Sequence, residues 1–270
     1  TEPIMTTQDL IRQLNELVLS EMKEYREQAK NFGPDSTSQR KLLRSLMNVR
    51  SPAPFSAEFV ELQDALLSQE REEKGVVDPM ALPSFPGGRI ALWQGDITRL
   101  AADAIVNAAN SALLGCFHPC HDCIDNAIHS AAGLQLREEC AAIMAKQGHP
   151  EGTGTVKATR AYNLPSRFVF HTVGPIVSGP LAQRHRDALK ECYTACLCLA
   201  EEMGLKSIAF CCISTGEFRF PPEEAARIAI RTVRDFLTRS PSVERIVFNV
   251  FKDSDREIYE RMLAIAGRST

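Results

Sequence analysis

Between Leu114 and Gly133 five metal-capable side chains, Cys116, His118, Cys120, His121 and Cys123, fall within eight residues, and a carboxylate, Asp125, follows two positions later. Mixed thiolate and imidazole donors suit zinc best. No second ligand pair follows at the spacing of a paired-knuckle structural finger, so three protein ligands with an open fourth position fit better. That is the pattern of a metal with a chemical job. A structural zinc and a chance grouping of cysteines are the competing readings, and at this level all five donors stay candidates.

Other stretches have chemical capacity too. Ser214-Thr215-Gly216-Glu217-Phe218 is a small-residue turn whose backbone amides can cradle a phosphate, or simply join a strand to a helix. Asp96 can accept from an amine on a base or cap a helix; Asn107 and Asn110 can bind ribose hydroxyls or serve turn chemistry. His171 reads as a packed structural histidine.

The elements that must position these residues follow from periodicity. Residues 7 to 31, 38 to 48 and 57 to 72 carry apolar stripes at helical spacing, with Thr6 or Thr7 as first cap and Gly33-Pro34 as a stop. This helical extension, residues 1 to 75, contains no chemical constellation and reads as an element that packs on the main domain or a partner, with closing a pocket as the alternative. Residues 76 to 88, rich in proline and glycine, read as a connector. From residue 89 to 270 strands and helices alternate. Strands are expected at 89–94, 104–106, 154–160, 168–172, 207–213 and 245–251. Helices are expected at 125–147, 181–203, 222–239 and 254–266, the last capped by Ser254 with Glu257 three residues on. The fold class is therefore α/β, a mixed sheet with helices on both faces. Ligands of such sheets sit outside the carboxyl ends of the strands, where the loops holding Asp96, Asn107 to Asp125 and Ser214 to Phe218 all fall.

Composition bounds the function. The net charge is −3 over 270 residues, without the basic surplus of a nucleic-acid binder. The N-terminus is polar, without the apolar core of a secretory signal, and no apolar run approaches the roughly 20 residues of a membrane span. Outside the 116–123 group the cysteines cluster on predicted elements and not in loops, with Cys192, Cys196 and Cys198 on one helix and Cys211 and Cys212 on one strand. They read as reduced thiols of a cytoplasmic protein.

Taken together, Gly95-Asp96-Ile97-Thr98, Ile105-Val106-Asn107-Ala108-Ala109-Asn110-Ser111, Tyr162-Asn163-Leu164-Pro165, His171-Thr172-Val173-Gly174-Pro175, Ile213-Ser214-Thr215-Gly216 and Val247-Phe248-Asn249-Val250-Phe251 resemble a macrodomain of the MacroD type over residues 88 to 267. After Leu114 the chain departs from the glycine run of that type. It is similar there to the zinc-dependent macrodomain branch, whose members also carry an N-terminal helical extension. The resemblance implies a three-layer α/β/α macrodomain and a zinc ion on Cys116, His121 and Cys123, leaving His118 and Cys120 on variable positions. It implies catalytic roles for Asp125 and Asn110, the latter at the distal ribose. It further implies ADP-ribose contacts from Asp96 at adenine, Ile97 beside it, Ser214, Thr215, Gly216, Glu217 and Phe218 at the diphosphate, and Phe251, or Phe248, as the stacking aromatic. Arg219 stands where MacroD-type proteins usually have glycine. The activity implied is zinc-dependent removal of mono-ADP-ribose from protein side chains, through Asp or Glu esters, with no nucleic acid or membrane involved. An ADP-ribose reader with a structural zinc and a hydrolase of small derivatives such as O-acetyl-ADP-ribose are the alternatives.

Overall fold

The structure is a computed structural model that describes residues 5–265. Four helices come first: α1 (Thr7–Glu21), the single turn α2 (Arg26–Ala29), α3 (Ser36–Val49) and α4 (Ala57–Lys74). They are followed by β1 (Ile90–Gln94), β2 (Ala104–Ala108), α5 (Ile124–Ala132), α6 (Leu134–Gln147), β3 (Val156–Arg160) and β4 (Phe168–Thr172). The chain ends with α7 (Gln183–Glu202), β5 (Ser207–Phe210), α8 (Pro222–Leu237), β6 (Arg245–Val250) and α9 (Asp253–Ile265).

The six strands form one sheet in the order β1-β6-β5-β2-β4-β3. All neighbours are parallel except β3 against β4. Strands β2, β5 and β6 are buried on both faces, as their near-continuous apolar sequences require. The mixed α/β sheet expected from the sequence is the one observed. Cys192 and Cys196 of α7 pack into its core, and all nine cysteines are unpaired. Among the described residues no helix is long and apolar enough to cross a membrane.

The first helices have a core of their own, built on Leu10, Leu14, Leu43, Leu46, Phe59 and Leu66, and Leu134 of α6 joins it. Thr6 caps α1 with a reciprocal Asp9 contact, and Asp35 and Ser56 cap α3 and α4. The segment between α4 and β1 is tied down as well. Val77 and Ser84 bridge to Leu100 and Ala91, and Arg245 Nη1 donates to the Leu82 carbonyl at 2.9 Å.

Several expected boundaries move. The helix over 7–31 stops at Met22, whose φ of −101° and ψ of 64° leave the helical region while its side chain stays buried. The helix over 125–147 is two helices, divided at Gly133 with φ +102°. There Gln63 Oε1 of α4 accepts from the Leu134 amide at 2.8 Å and so starts α6. Strand β5 ends at Phe210, so Cys211 and Cys212 lie beyond it. Ser254 is inside the first turn of α9 and not its cap, and residue 266 lies outside the described residues.

Candidate functional site

The loops singled out in the sequence follow the carboxyl ends of parallel strands, ranked across the sheet as β1, β6, β5 and β2. Asp96 follows β1, Phe251 follows β6, Ser214 to Phe218 follow β5, and Asn110 to Asp125 follow β2.

The loop after β2 brings three of its five donors together. The ligand atoms of Cys116, His121 and Cys123 lie within 4.8 Å of one another, with Cys116 Sγ 3.7 Å from His121 Nδ1. His121 Nε2 is 2.9 Å from Glu217 Oε1 on the loop after β5. A carboxylate there fixes the ring so that Nδ1 faces the sulfurs, the usual support for a ligating histidine. His118 is exposed, and Cys120 turns its sulfur away, toward Ser45 Oγ at 3.3 Å. The donor set fits zinc: two soft sulfurs and one imidazole, all half-buried. Burial pushes the Cys123 thiol up to about 12, and the neighbouring Cys116 adds to the shift. Such a sulfur becomes a thiolate only beside a cation.

Cys123 Sγ also caps α5 by accepting from the Asn126 amide at 3.3 Å, which places Asp125 in the first helical turn. The Asp125 carboxyl is 5% exposed, and burial raises it to about 6 against the donation of Asn107 and the charge of Arg137. Asn107 Nδ2 donates to Asp125 Oδ1 at 2.8 Å and lies 3.2 Å from His171 Nδ1. Its amide hydrogens serve both acceptors, so His171 carries its proton on Nε2 and donates to Thr159 Oγ1, 2.9 Å away. The ribose role considered for Asn107 is thereby corrected. Strand β2 runs two residues further than expected, and the fully buried amide holds Asp125. Burial pulls His171 down to about 4 and His129 well below the ordinary histidine range. His129 Nε2 is 3.5 Å from Asp125 Oδ1, too far for a formed hydrogen bond, and among the described residues neither ring nitrogen has a partner.

In the loop after β5, Ser214 holds φ +65° and Arg219 φ +62°. The second value explains the glycine usual at the Arg219 position, since the left-handed region is glycine's. Arg219 N donates to Gly216 O at 3.0 Å and Phe220 N to Ser214 O at 2.9 Å, closing the turn. Among the described residues the amides of Gly216, Glu217 and Phe218 take no backbone partner, which leaves a set of N–H groups for an anion. Ser214 Oγ is buried and has no partner among the described residues, and a Cβ on Gly174 would collide with it. Thr215 Oγ1 is turned back to the Cys212 carbonyl at 3.0 Å.

At the β1 end, Asp96 Oδ1 accepts from the Thr98 amide at 2.9 Å, while Oδ2 lies 3.7 Å from Lys74 Nζ. Asp96 therefore caps a turn and still has an oxygen to offer. The Ile97 side chain is 1% exposed, so only its backbone can meet a ligand. Phe251 is 73% exposed, whereas Phe248 packs against Tyr259 in the core, which excludes Phe248 as a stacking residue. Asn110 is exposed, its side chain bonded to the Ala112 amide and the Gly115 carbonyl.

Sequence reasoning missed four contributors: His129, Arg137, Asn48, whose Oδ1 accepts from the Cys120 amide at 2.9 Å, and the Glu217 contact to His121. Only His129 had a legible signal, being four residues after Asp125 and so on the same helix face. The others depend on tertiary contacts.

The family profile described as Macro domain matches residues 106–229. A Treponema medium protein named "Protein-ADP-ribose hydrolase" is 52% identical over 233 residues, covering 85% of this chain and 89% of that one. A Staphylococcus aureus protein of the same name is 49% identical over 223 residues, covering 82% and 84%. Among solved structures, a Trypanosoma brucei macrodomain superposes with TM-score 0.64 at 32% identity, covering 82% of this chain and 91% of that one. An Oceanobacillus iheyensis macrodomain mutant with ADPR gives 0.62 at 36% identity, covering 67% and 94%.

Proposed function

The chain belongs to the macrodomain family, and from that premise we propose that it hydrolyses the bond between ADP-ribose and modified protein side chains, with zinc held by Cys116, His121 and Cys123. The observation that carries this reading is the order of the loops across the sheet. A carboxylate oxygen of Asp96, paired only with the exposed Lys74, and an exposed aromatic lie at β1 and β6, an amide-lined turn at β5, and the metal-capable trio with Asp125 at β2. Neighbouring strands are about 4.8 Å apart, so β1 to β2 spans roughly 14 Å. That is the reach of a base, ribose, diphosphate and second ribose laid end to end. The hydrolase names of the relatives at about half identity support the same reaction class.

In this reading Asp96 Oδ2 accepts from the adenine amine, the backbone at Ile97 lies alongside, and Phe251 stacks on the base. The amides of Gly216, Glu217 and Phe218, with Ser214 Oγ, hold the diphosphate, while Thr215, expected there too, gives both its donors to the Cys212 carbonyl and shapes the turn instead. Asn110 holds the distal ribose. These remote contacts orient the reacting end against Asp125. Zinc, when bound, supplies Lewis acidity toward an oxygen at that end. An Asp or Glu ester is the proposed linkage, because a carboxylate leaves readily. Hydrolysis adds water across the ester, and Asp125 takes the proton of the attacking water while Asn107 keeps its carboxylate aimed.

The test compares release of ADP-ribose from proteins mono-modified on Asp or Glu with release from Ser- or Arg-linked substrates, with and without a chelator. Release from the acidic linkage, lost with the chelator and restored by zinc, is expected. A metal-free protein working at the normal rate removes zinc from the mechanism. Tight binding without release makes the protein a reader, and release only from O-acetyl-ADP-ribose removes the protein substrate.

A further inference from the structure

The ligand segment of the loop after β2 is anchored at both ends to the C-terminal half of α3, in the helical extension. Asn48 Oδ1 accepts from the Cys120 amide at 2.9 Å and from Asn126 Nδ2 at 3.2 Å. Cys120 holds φ +52°, an unfavourable conformation for a side chain with a Cβ, and its sulfur lies 3.3 Å from Ser45 Oγ. A strained residue of this kind persists only where its surroundings over-determine it. Cys120 directly precedes His121, so the bond that fixes its amide also sets where the imidazole starts. At the other end, the Asn126 amide donates to Cys123 Sγ, and Arg44 Nη2 donates to Asn126 Oδ1 at 2.8 Å. Arg137 closes the arrangement from beneath. It is 3% exposed and donates to the Asn48 and Arg50 carbonyls at 2.8 Å each on the extension, and to the Leu114 carbonyl at 2.7 Å on the loop.

We infer that the end of α3 is a positioning wall for the metal-binding loop, with Asn48 as the residue that sets the spacing of His121 and Cys123. This inference rests on the zinc reading of Cys116, His121 and Cys123. It gives the extension a specific role inside the site, where the sequence offered packing or pocket closure without naming a residue. Asn48 touches neither metal donors nor substrate. It acts through the backbone of Cys120 and the side chain of Asn126.

The experiment measures zinc affinity of the purified full chain by competition with a chromophoric chelator, and the visible spectrum of the cobalt-substituted protein. Asn48→Ala should weaken zinc binding by about 10-fold or more, the usual effect of losing a group that orients ligands, and shift the cobalt bands. Asn48→Asp keeps an acceptor for the Cys120 amide and should recover most of that loss. Leu14→Ala, in the extension's own core, should lower the melting temperature and leave zinc affinity unchanged. Wild-type affinity and spectrum in Asn48→Ala overturn the inference alone, as does zinc loss in Leu14→Ala that matches its loss of stability. A wild-type chain that binds no zinc, or a Cys123→Ala variant that binds it undiminished, overturns the zinc reading and this inference with it.

Discussion

A carboxylate buried to 5% exposure and aimed by one amide is the sharpest chemical feature of the chain. Asp125 gains orientation from Asn107, while Asn107 is oriented by His171 and Thr159 behind it. In the proposed reaction Asp125 handles a proton, a function that contributes about 100-fold or more to rate. Asp125→Ala should therefore cut turnover by about that factor and change ADP-ribose affinity only a few-fold. Calorimetry beside single-turnover kinetics checks this. Loss of affinity with unchanged turnover per bound substrate would make Asp125 a binding residue only.

At the scale of elements, the break between α5 and α6 rests on one glycine and one glutamine. Gly133 takes φ +102°, and a Cβ there would come within 2.7 Å of Gln63 Nε2 and 2.8 Å of Gln135 Oε1. The Gln63 side chain is also what starts α6. Gly133→Ala should destabilise the protein by about 2 kcal/mol or more, combining backbone strain with displacement of Gln63. Gly148, which ends α6 at φ +77° with open space around it, is the control. Gly148→Ala should cost only the backbone part, about 1 kcal/mol. Equal losses for the two variants in denaturant titrations would show that the Gln63 contact contributes nothing.

The whole molecule carries a pH dependence in its interior. His171 has a folded-state pKa of about 4 against 6.5 for an ordinary histidine, because burial disfavours the charged ring. The unfolded chain binds the proton more tightly, so this group's contribution is full above pH 6.5 and is lost as pH falls toward 4. The loss amounts to about 3 kcal/mol at most. Asp125, whose carboxyl is raised to about 6, works in the opposite direction, gaining stability as it protonates. The difference between wild type and His171→Gln isolates the histidine: the variant should lose less stability between pH 6.5 and 4. Parallel profiles would assign the acid sensitivity elsewhere.

The sequence by itself determined the fold class, a mixed sheet between helices, because alternating helical periodicity and double-faced apolar strands leave few other arrangements, and it marked the loops at the strand ends; the strand order came only from the structure. It also placed metal-capable donors and Asp125 together, since local density within eight residues survives any fold. Tertiary structure decided the rest. Which three of the five donors converge depends on how the loop curls: Cys120 turns toward Ser45, 75 positions earlier in the chain. Asn107 changed from a turn residue to a buried support because β2 runs on through Ala108 and pairs with β4. Met22 and Gly133 broke helices whose apolar stripes continue across them, since periodicity reports which face is buried and not where the chain must bend to bury it. The extension, silent in sequence, reaches the loop through Asn48 and Arg137, contacts of 72 and 89 positions' separation that no local pattern encodes.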